Sequence, residues 1–242
     1  MEKLGSRAPR SVLVTAAVAM VVVVGTLVAV VALRPRADQA EEPASPGPGP
    51  TISGAVDPTV CGSSPCQAIA TQEVNGEKVT LLASADSTVA RLDVGAPPSS
   101  ATVDLTITEQ GVKLSQDSLR CLGGTVAACL VRGPVTGGQV GEVVANRGSS
   151  WEIASQAYLS DANYIGLADV AGTEAPEVTV VRHDCPTTAQ DTPKCAAAPV
   201  VAEVFDLGGR SIGCTKRKYT SPSQMRGYPT IRLSTSDLGS CG

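Results

Sequence analysis

All eight cysteines of this 242-residue chain lie beyond residue 60, at positions 61, 66, 121, 129, 185, 195, 214 and 241. An even number confined to one region is the pattern of an oxidised domain held by disulfides, which places that region outside the reducing cytoplasm. Many pairings are formally open, and spacing favours one. Cys121 and Cys129 flank LGGTVAA and face each other if that segment is a hairpin turn. Cys185 and Cys195 close the polar loop PTTAQDTPK, and Cys61 and Cys66 bracket GSSP. Cys214 and Cys241 then pair by elimination and tie down the tail. No C-x-x-C occurs and His183 is the only histidine, so the cysteines do not read as a zinc site and no metal or cofactor is expected.

Ahead of this region, residues Ser11 to Leu33 form a run of 23 without charge or proline. At ~1.5 Å per residue, a helix of that length crosses a hydrocarbon layer of about 30 Å. The run is longer than the apolar core of a cleaved secretory signal and ends in Leu33-Arg34-Pro35-Arg36, so it reads as an uncleaved anchor. Lys3, Arg7 and Arg10 precede it, while Arg34 and Arg36 follow; the basic excess favours a cytoplasmic N-terminus. The expected order is a cytoplasmic head (1–10), a single transmembrane helix (11–33), a Pro/Gly/Ser-rich linker (34–59) and a disulfide-bonded β domain (60–242). The protein is thus expected in the cell membrane with its C-terminal domain extracytoplasmic. Removing the head's three basic residues and one acid from totals of 19 and 23 leaves 16 basic against 22 acidic residues. That balance gives no basic stripe for nucleic acid.

Strand signals recur after Val60. ATVDLTIT alternates, with Val103, Leu105 and Ile107 on one face and Thr102, Asp104 and Thr106 on the other. VTLLAS, VAACLV, VGEVVA, EVTVV and VVAEVF are short, valine-rich and bounded by turn residues. No helical stripe with caps competes, so the class is all-β. Three segments share a plan of turn, strand, loop, strand, glycine turn and strand. Their leading turn glycines, Gly76, Gly124 and Gly172, are evenly spaced; the second-turn glycines Gly111, Gly148 and Gly209 are less regular. About three four-stranded repeats suggest a propeller-like arrangement, with a β-prism or β-trefoil-like one as alternatives.

The third repeat, YIGLADVAGTEAPEVTVV, resembles the FG-GAP (integrin-type) propeller repeat through Asp169, Gly172, Pro176 and Glu177. That family's loop carries calcium. Here Ala171, Thr173 and Glu174 stand where it has Asn, Asp and Gly, so no tight calcium site is expected. The layout as a whole resembles membrane-anchored extracytoplasmic β-domain proteins of actinobacteria, a resemblance that implies location and no activity.

The chemistry is sparse. No G-x-S-x-G or phosphate-cradling G-x-x-x-x-G-K-[ST] is present. His183 reads as a strand-end residue beside a disulfide, and Trp151 as a core residue of a fourth strand. Thr215-Lys216-Arg217-Lys218-Tyr219 is the one concentrated charge feature, with Arg226, Tyr228 and Arg232 downstream. Lys216, Arg217, Lys218 and Arg226 are candidate contacts for an anionic wall polymer or lipid head group; the plain alternative is a solvated tail held by Cys214 and Cys241. Loops 133–139 and 185–198 are further candidate contact surfaces. The leading expectation is a non-catalytic binding or scaffold module at the cell envelope whose partner is a protein or wall polymer. An envelope hydrolase using a carboxylate pair, and a partner subunit of a membrane signalling complex, stand as alternatives.

Overall fold

The computed structural model describes residues 60–62, 64–96, 99–185 and 193–241. The expected head, membrane helix and linker lie outside these residues, as does most of the 185–195 loop. Among the described residues no helix is long and apolar enough to cross a membrane. The domain is all-β, built from antiparallel sheets.

A short hairpin, β1 (Val60–Cys61) with β2 (Ser64–Pro65), opens the chain. Three meanders follow. Sheet 1 runs β3 (Gln67–Val74), β4 (Glu77–Ala83), β5 (Ala90–Val94) and β6 (Ala101–Leu105). Sheet 2 runs β7 (Leu119–Leu122), β8 (Ala128–Val135), β9 (Gly138–Arg147) and β10 (Ser150–Ile153), and β11 (Tyr158–Ser160) pairs with the other end of β9. Sheet 3 runs β12 (Tyr164–Ala168), β13 (Glu177–His183), β14 (Val200–Phe205), β15 (Ser211–Thr215) and β16 (Leu238–Gly239). One helical turn, α1 (Pro193–Ala196), precedes β14.

Alternation along the strands makes sheet 2 the middle layer. Cys129 and Val131 of β8, with Val140 and Val144 of β9, pack against Leu81, Leu92 and Val94 of sheet 1. Their neighbours Ala128, Leu130, Val143 and Ala145 pack against Ile165, Val178 and Val180 of sheet 3. β8 and β9 therefore bury apolar side chains on both faces, which is why valines and leucines follow one another in CLV and EVVA without alternation. Gly141 allows the second contact: a Cβ there would meet Leu130 Cδ1 at 2.9 Å and Ile165 Cγ2 at 3.2 Å.

The evenly spaced glycines occupy equivalent places. Gly76, Gly124 and Gly172 each lie between the first and second strands of a sheet. Asn75 and Gly76 both have positive φ, 50° and 82°, as the two-residue hairpin turn requires. These three turns touch in series: Asn75 Nδ2 donates to Gly124 O at 2.7 Å, and Val126 N donates to Glu174 O at 3.0 Å. The second-turn glycines need one correction. Gly148 and Gly209 connect third and fourth strands, but Gly111 ends a 3₁₀ turn after β6, and Gly95 holds the equivalent turn in sheet 1. ATVDLTIT is the fourth strand and stops at Leu105. The third is β5, whose alternation of Ala90, Leu92 and Val94 against Arg91 and Asp93 lasts only five residues. Sheets 2 and 3 also carry a fifth strand each, and no closed propeller or barrel is found among the described residues.

The chain leaves sheet 1 through a buried carboxylate. Glu142 on β9 accepts from Thr106 N at 2.9 Å, Ile107 N at 3.1 Å and Thr106 Oγ1 at 2.6 Å. It points towards sheet 1, like Val140 and Val144, and fastens the turn after β6 onto the middle layer.

All four expected disulfides are present: 61–66, 121–129, 185–195 and 214–241. Cys121 and Cys129 are directly opposite in the β7–β8 register.

Candidate functional site: a basic cleft built by the tail

The outer face of sheet 3 is covered by the chain's own C-terminal segment. Met225 and Ile231 lie on Tyr164, Val181, Val200 and Ala202, with Tyr219 and Leu233 at the margin. Tyr219 and Val200 exchange backbone hydrogen bonds at one end of this segment. At the other end β16 pairs with β15, and Cys214 and Cys241 lock the pairing covalently. A 22-residue stretch with almost no regular structure is thus fixed at both ends.

That anchoring has a consequence for charge. With its apolar side chains turned to the sheet, the segment turns its cations outward. Lys216, Arg217, Arg226 and Arg232 line one cleft of about 340 Å³, together with Thr215, Tyr219 and Asp237. Lys216 Nζ caps Ser236 O at 2.8 Å, and Arg226 shares Arg232 O through Nε at 3.4 Å and Nη2 at 3.3 Å. Arg217 lies over the Tyr219 ring, 5.2 Å from its centroid. Against four cations stands one carboxylate. Asp237 accepts from Ser234 Oγ at 2.8 Å and Ser234 N at 2.9 Å and lies 3.7 Å from Arg226. The Ser234 hydroxyl and amide hold its carboxyl below the ordinary range. A contact that long between exposed groups is worth little, so the charge of Arg226 is only weakly offset while its bonds to Arg232 O hold it in place. Arg217 and Arg232 make no ion pair among the described residues.

Three of the four cations expected from sequence, Lys216, Arg217 and Arg226, therefore come together. Lys218 points elsewhere and pairs with Asp184. Arg232, six residues beyond Arg226, belongs to the cleft. It was legible only as a downstream basic residue; the loop between them returns it, with Arg232 N donating to Arg226 O at 2.9 Å. Residues 133–139 are not a loop: they form the ends of β8 and β9 around a two-residue turn at 136–137.

The remaining candidates are occupied structurally. Trp151 on β10 is buried, with Nε1 donating to Glu77 Oε2 at 3.3 Å. His183 ends β13, and its Nδ1 lies 3.3 Å from Asp161 Oδ2. This His–Asp pair escaped the sequence reading because Asp161 is brought in by the β11–β12 turn. No hydroxyl or thiol hydrogen-bonds His183 Nε2 among the described residues. In the FG-GAP-like loop, Glu177 Oε2 accepts from Val170 N at 2.8 Å and Ala171 N at 3.3 Å, and Glu177 Oε1 accepts from Thr173 Oγ1 at 3.1 Å. Asp169 Oδ1 accepts from Gly172 N at 2.8 Å. Loop donors thus engage these oxygens. Asp169 and Glu174 share a cavity of about 520 Å³ beside this loop, and both are exposed. Glu203, Cys214 and Cys241 lie close together, but both sulfurs are committed to a disulfide and cannot act as thiolate ligands.

No protein-family model matches the chain, and comparisons with curated proteins and with solved structures find no significant match.

Proposed function

We propose that this chain is a membrane-tethered extracytoplasmic binding module whose C-terminal cleft captures an anionic partner at the cell envelope. The observation that carries the reading is the cleft itself. A segment pinned at both ends sets Lys216, Arg217, Arg226 and Arg232 against a single carboxylate. Arginine forks suit phosphate and carboxylate groups, and the Arg217 and Arg232 guanidiniums, unpaired among the described residues, lose no internal ion pair on binding. The apolar run 11–33 and the cysteine pattern support a cytoplasmic head with the β domain outside. In this reading the three stacked meanders are an open, propeller-like arc whose rigidity holds the cleft in shape. A tether raises the local concentration of a weak binder near its partner. The chain works by binding and catalyses nothing.

The test is co-sedimentation of the full-length, detergent-solubilised protein with purified cell-wall material. Wild type is expected in the pellet at low salt, and the Arg217→Ala/Arg226→Ala/Arg232→Ala variant in the supernatant. Equal sedimentation of the two would remove the cleft from the account. Turnover of wall polysaccharide, lost on one Asp or Glu substitution, would establish the hydrolase instead.

A further inference from the structure

The cationic surface does not stop at the tail. Arg120 on β7 and Arg132 on β8 share the face of sheet 2 that carries Leu130 towards sheet 3. Arg120 is opposite Leu130 in the register, and Arg132 is two residues further along β8, so the two are diagonal neighbours. Arg132 is half-buried and stacks over the Tyr164 ring, 5.9 Å from its centroid. Its guanidinium makes no hydrogen bond or ion pair among the described residues. The five N–H donors of this half-buried cation thus have no protein acceptor among the described residues beside the ring face. Burial pushes the Arg132 pKa down from its ordinary value; Arg120 adds to that, and Asp117 and Tyr164 oppose it. An incoming anion would repay a cost that the fold leaves standing.

Tyr164 joins this pair to the cleft. Its hydroxyl accepts from Ile231 N at 3.0 Å, and Tyr228, which is half exposed, lies within electrostatic reach. Arg232 follows Ile231 directly and lines the cleft. The tail therefore crosses between two cationic stations, and exposed Tyr228 and Arg226 lie on the same crossing.

We propose that Arg120 and Arg132 form a second anion station beside the tail cleft, and that the two stations together bind one flexible polyanion rather than a single small anion. This rests on the reading of the cleft given above and names its ligand class. Repeated phosphate or carboxylate groups along one chain meet its chemistry. A bilayer surface meets it less well, because Arg132 is half-buried against the Tyr164 ring, and an extended chain reaches such a group more readily than a plane of head groups does.

Linking two weak contacts on one ligand raises affinity by about 100-fold or more without any new contact. The experiment titrates the full-length protein, at fixed ionic strength, with inorganic phosphate, tripolyphosphate, long-chain polyphosphate, poly-glutamate and phosphatidylglycerol vesicles. Affinity is expected to climb about 100-fold from phosphate to the long chains. Polyphosphate against poly-glutamate decides which anion is preferred. Arg120→Ala, at an exposed position, is expected to lower the long-chain to phosphate ratio by about tenfold, and Arg132→Ala to do the same. Arg226→Ala should weaken every probe, phosphate included. Phosphate binding with no gain on chain length, or a gain indifferent to Arg120 and Arg132, overturns the second station and leaves the cleft standing. Vesicle binding that depends on Arg120 and Arg132 overturns the polymer in favour of the membrane. No binding of any probe removes the cleft and the second station together.

Discussion

Glu142 tests how the stack of sheets is fastened. It is 1% exposed and receives three donors from the turn after β6. Replacing it with alanine leaves Ile107 N, in a fully buried residue, without an acceptor, which costs about 1–3 kcal/mol. Thr106 belongs to an exposed residue, so water recovers most of its two bonds and roughly 0.5–1 kcal/mol is lost there. The total is about 3 kcal/mol. For a domain of this size that lowers the melting temperature by roughly 6–12 °C. Glutamine behaves differently. Its carbonyl oxygen takes the two amide donors, and its amide donates to a Thr106 hydroxyl that turns to accept. Only the charge assistance goes, about 1 kcal/mol. Thermal and urea unfolding of Glu142→Ala and Glu142→Gln should therefore rank alanine well below glutamine, with glutamine close to wild type. Equal losses for the two, or a loss under about 0.5 kcal/mol for alanine, would refute the claim that hydrogen-bond supply at this site fastens the sheets.

Two further outcomes follow from the tail. Removing the 214–241 disulfide with paired serines opens a span of 27 residues; chain entropy puts the loss at about 3.5 kcal/mol. Melting should fall, and anion binding should weaken along with it; binding that survives intact would show that β15–β16 pairing alone shapes the cleft. The carboxyl of Asp237 has a folded pKa below its ordinary 3.8, so its contribution is present above that value and lost as pH falls through the depressed one. Exchange protection of the Ser234 amide should therefore hold from pH 7 to about 4 and weaken only in stronger acid, while the disulfide and the buried Met225 and Ile231 keep the rest of the segment in place. Loss of protection between pH 5 and 6 would contradict that assignment.

The covalent framework was legible in the sequence because three of its four links are local and the fourth follows by elimination. Three pairs are separated by 5, 8 and 10 residues, and turn chemistry between the partners dictates the meeting. The all-β class followed from short valine-rich runs, and the turns at Gly76, Gly124 and Gly172 from their even spacing. What distance in sequence conceals, only the tertiary structure decided. β5 was hidden because its alternation of Ala90, Leu92 and Val94 against Arg91 and Asp93 is only five residues long and lacks the valine-rich run that marks strands such as β13 and β14. Placing sheet 2 between the others needs both faces of β8 and β9 to be matched with partners far along the chain. The cleft lies at the same limit. A run of cations at 216–218 is visible, but whether its members converge depends on which way each side chain leaves a segment without periodicity. Met225 and Ile231 settle that by burying their own sides against Tyr164 and Val181, which sends Lys218 to Asp184 and brings Arg232 in. Local spacing fixes covalent links and turns because those depend on few residues; convergence of charge depends on packing that no single stretch contains.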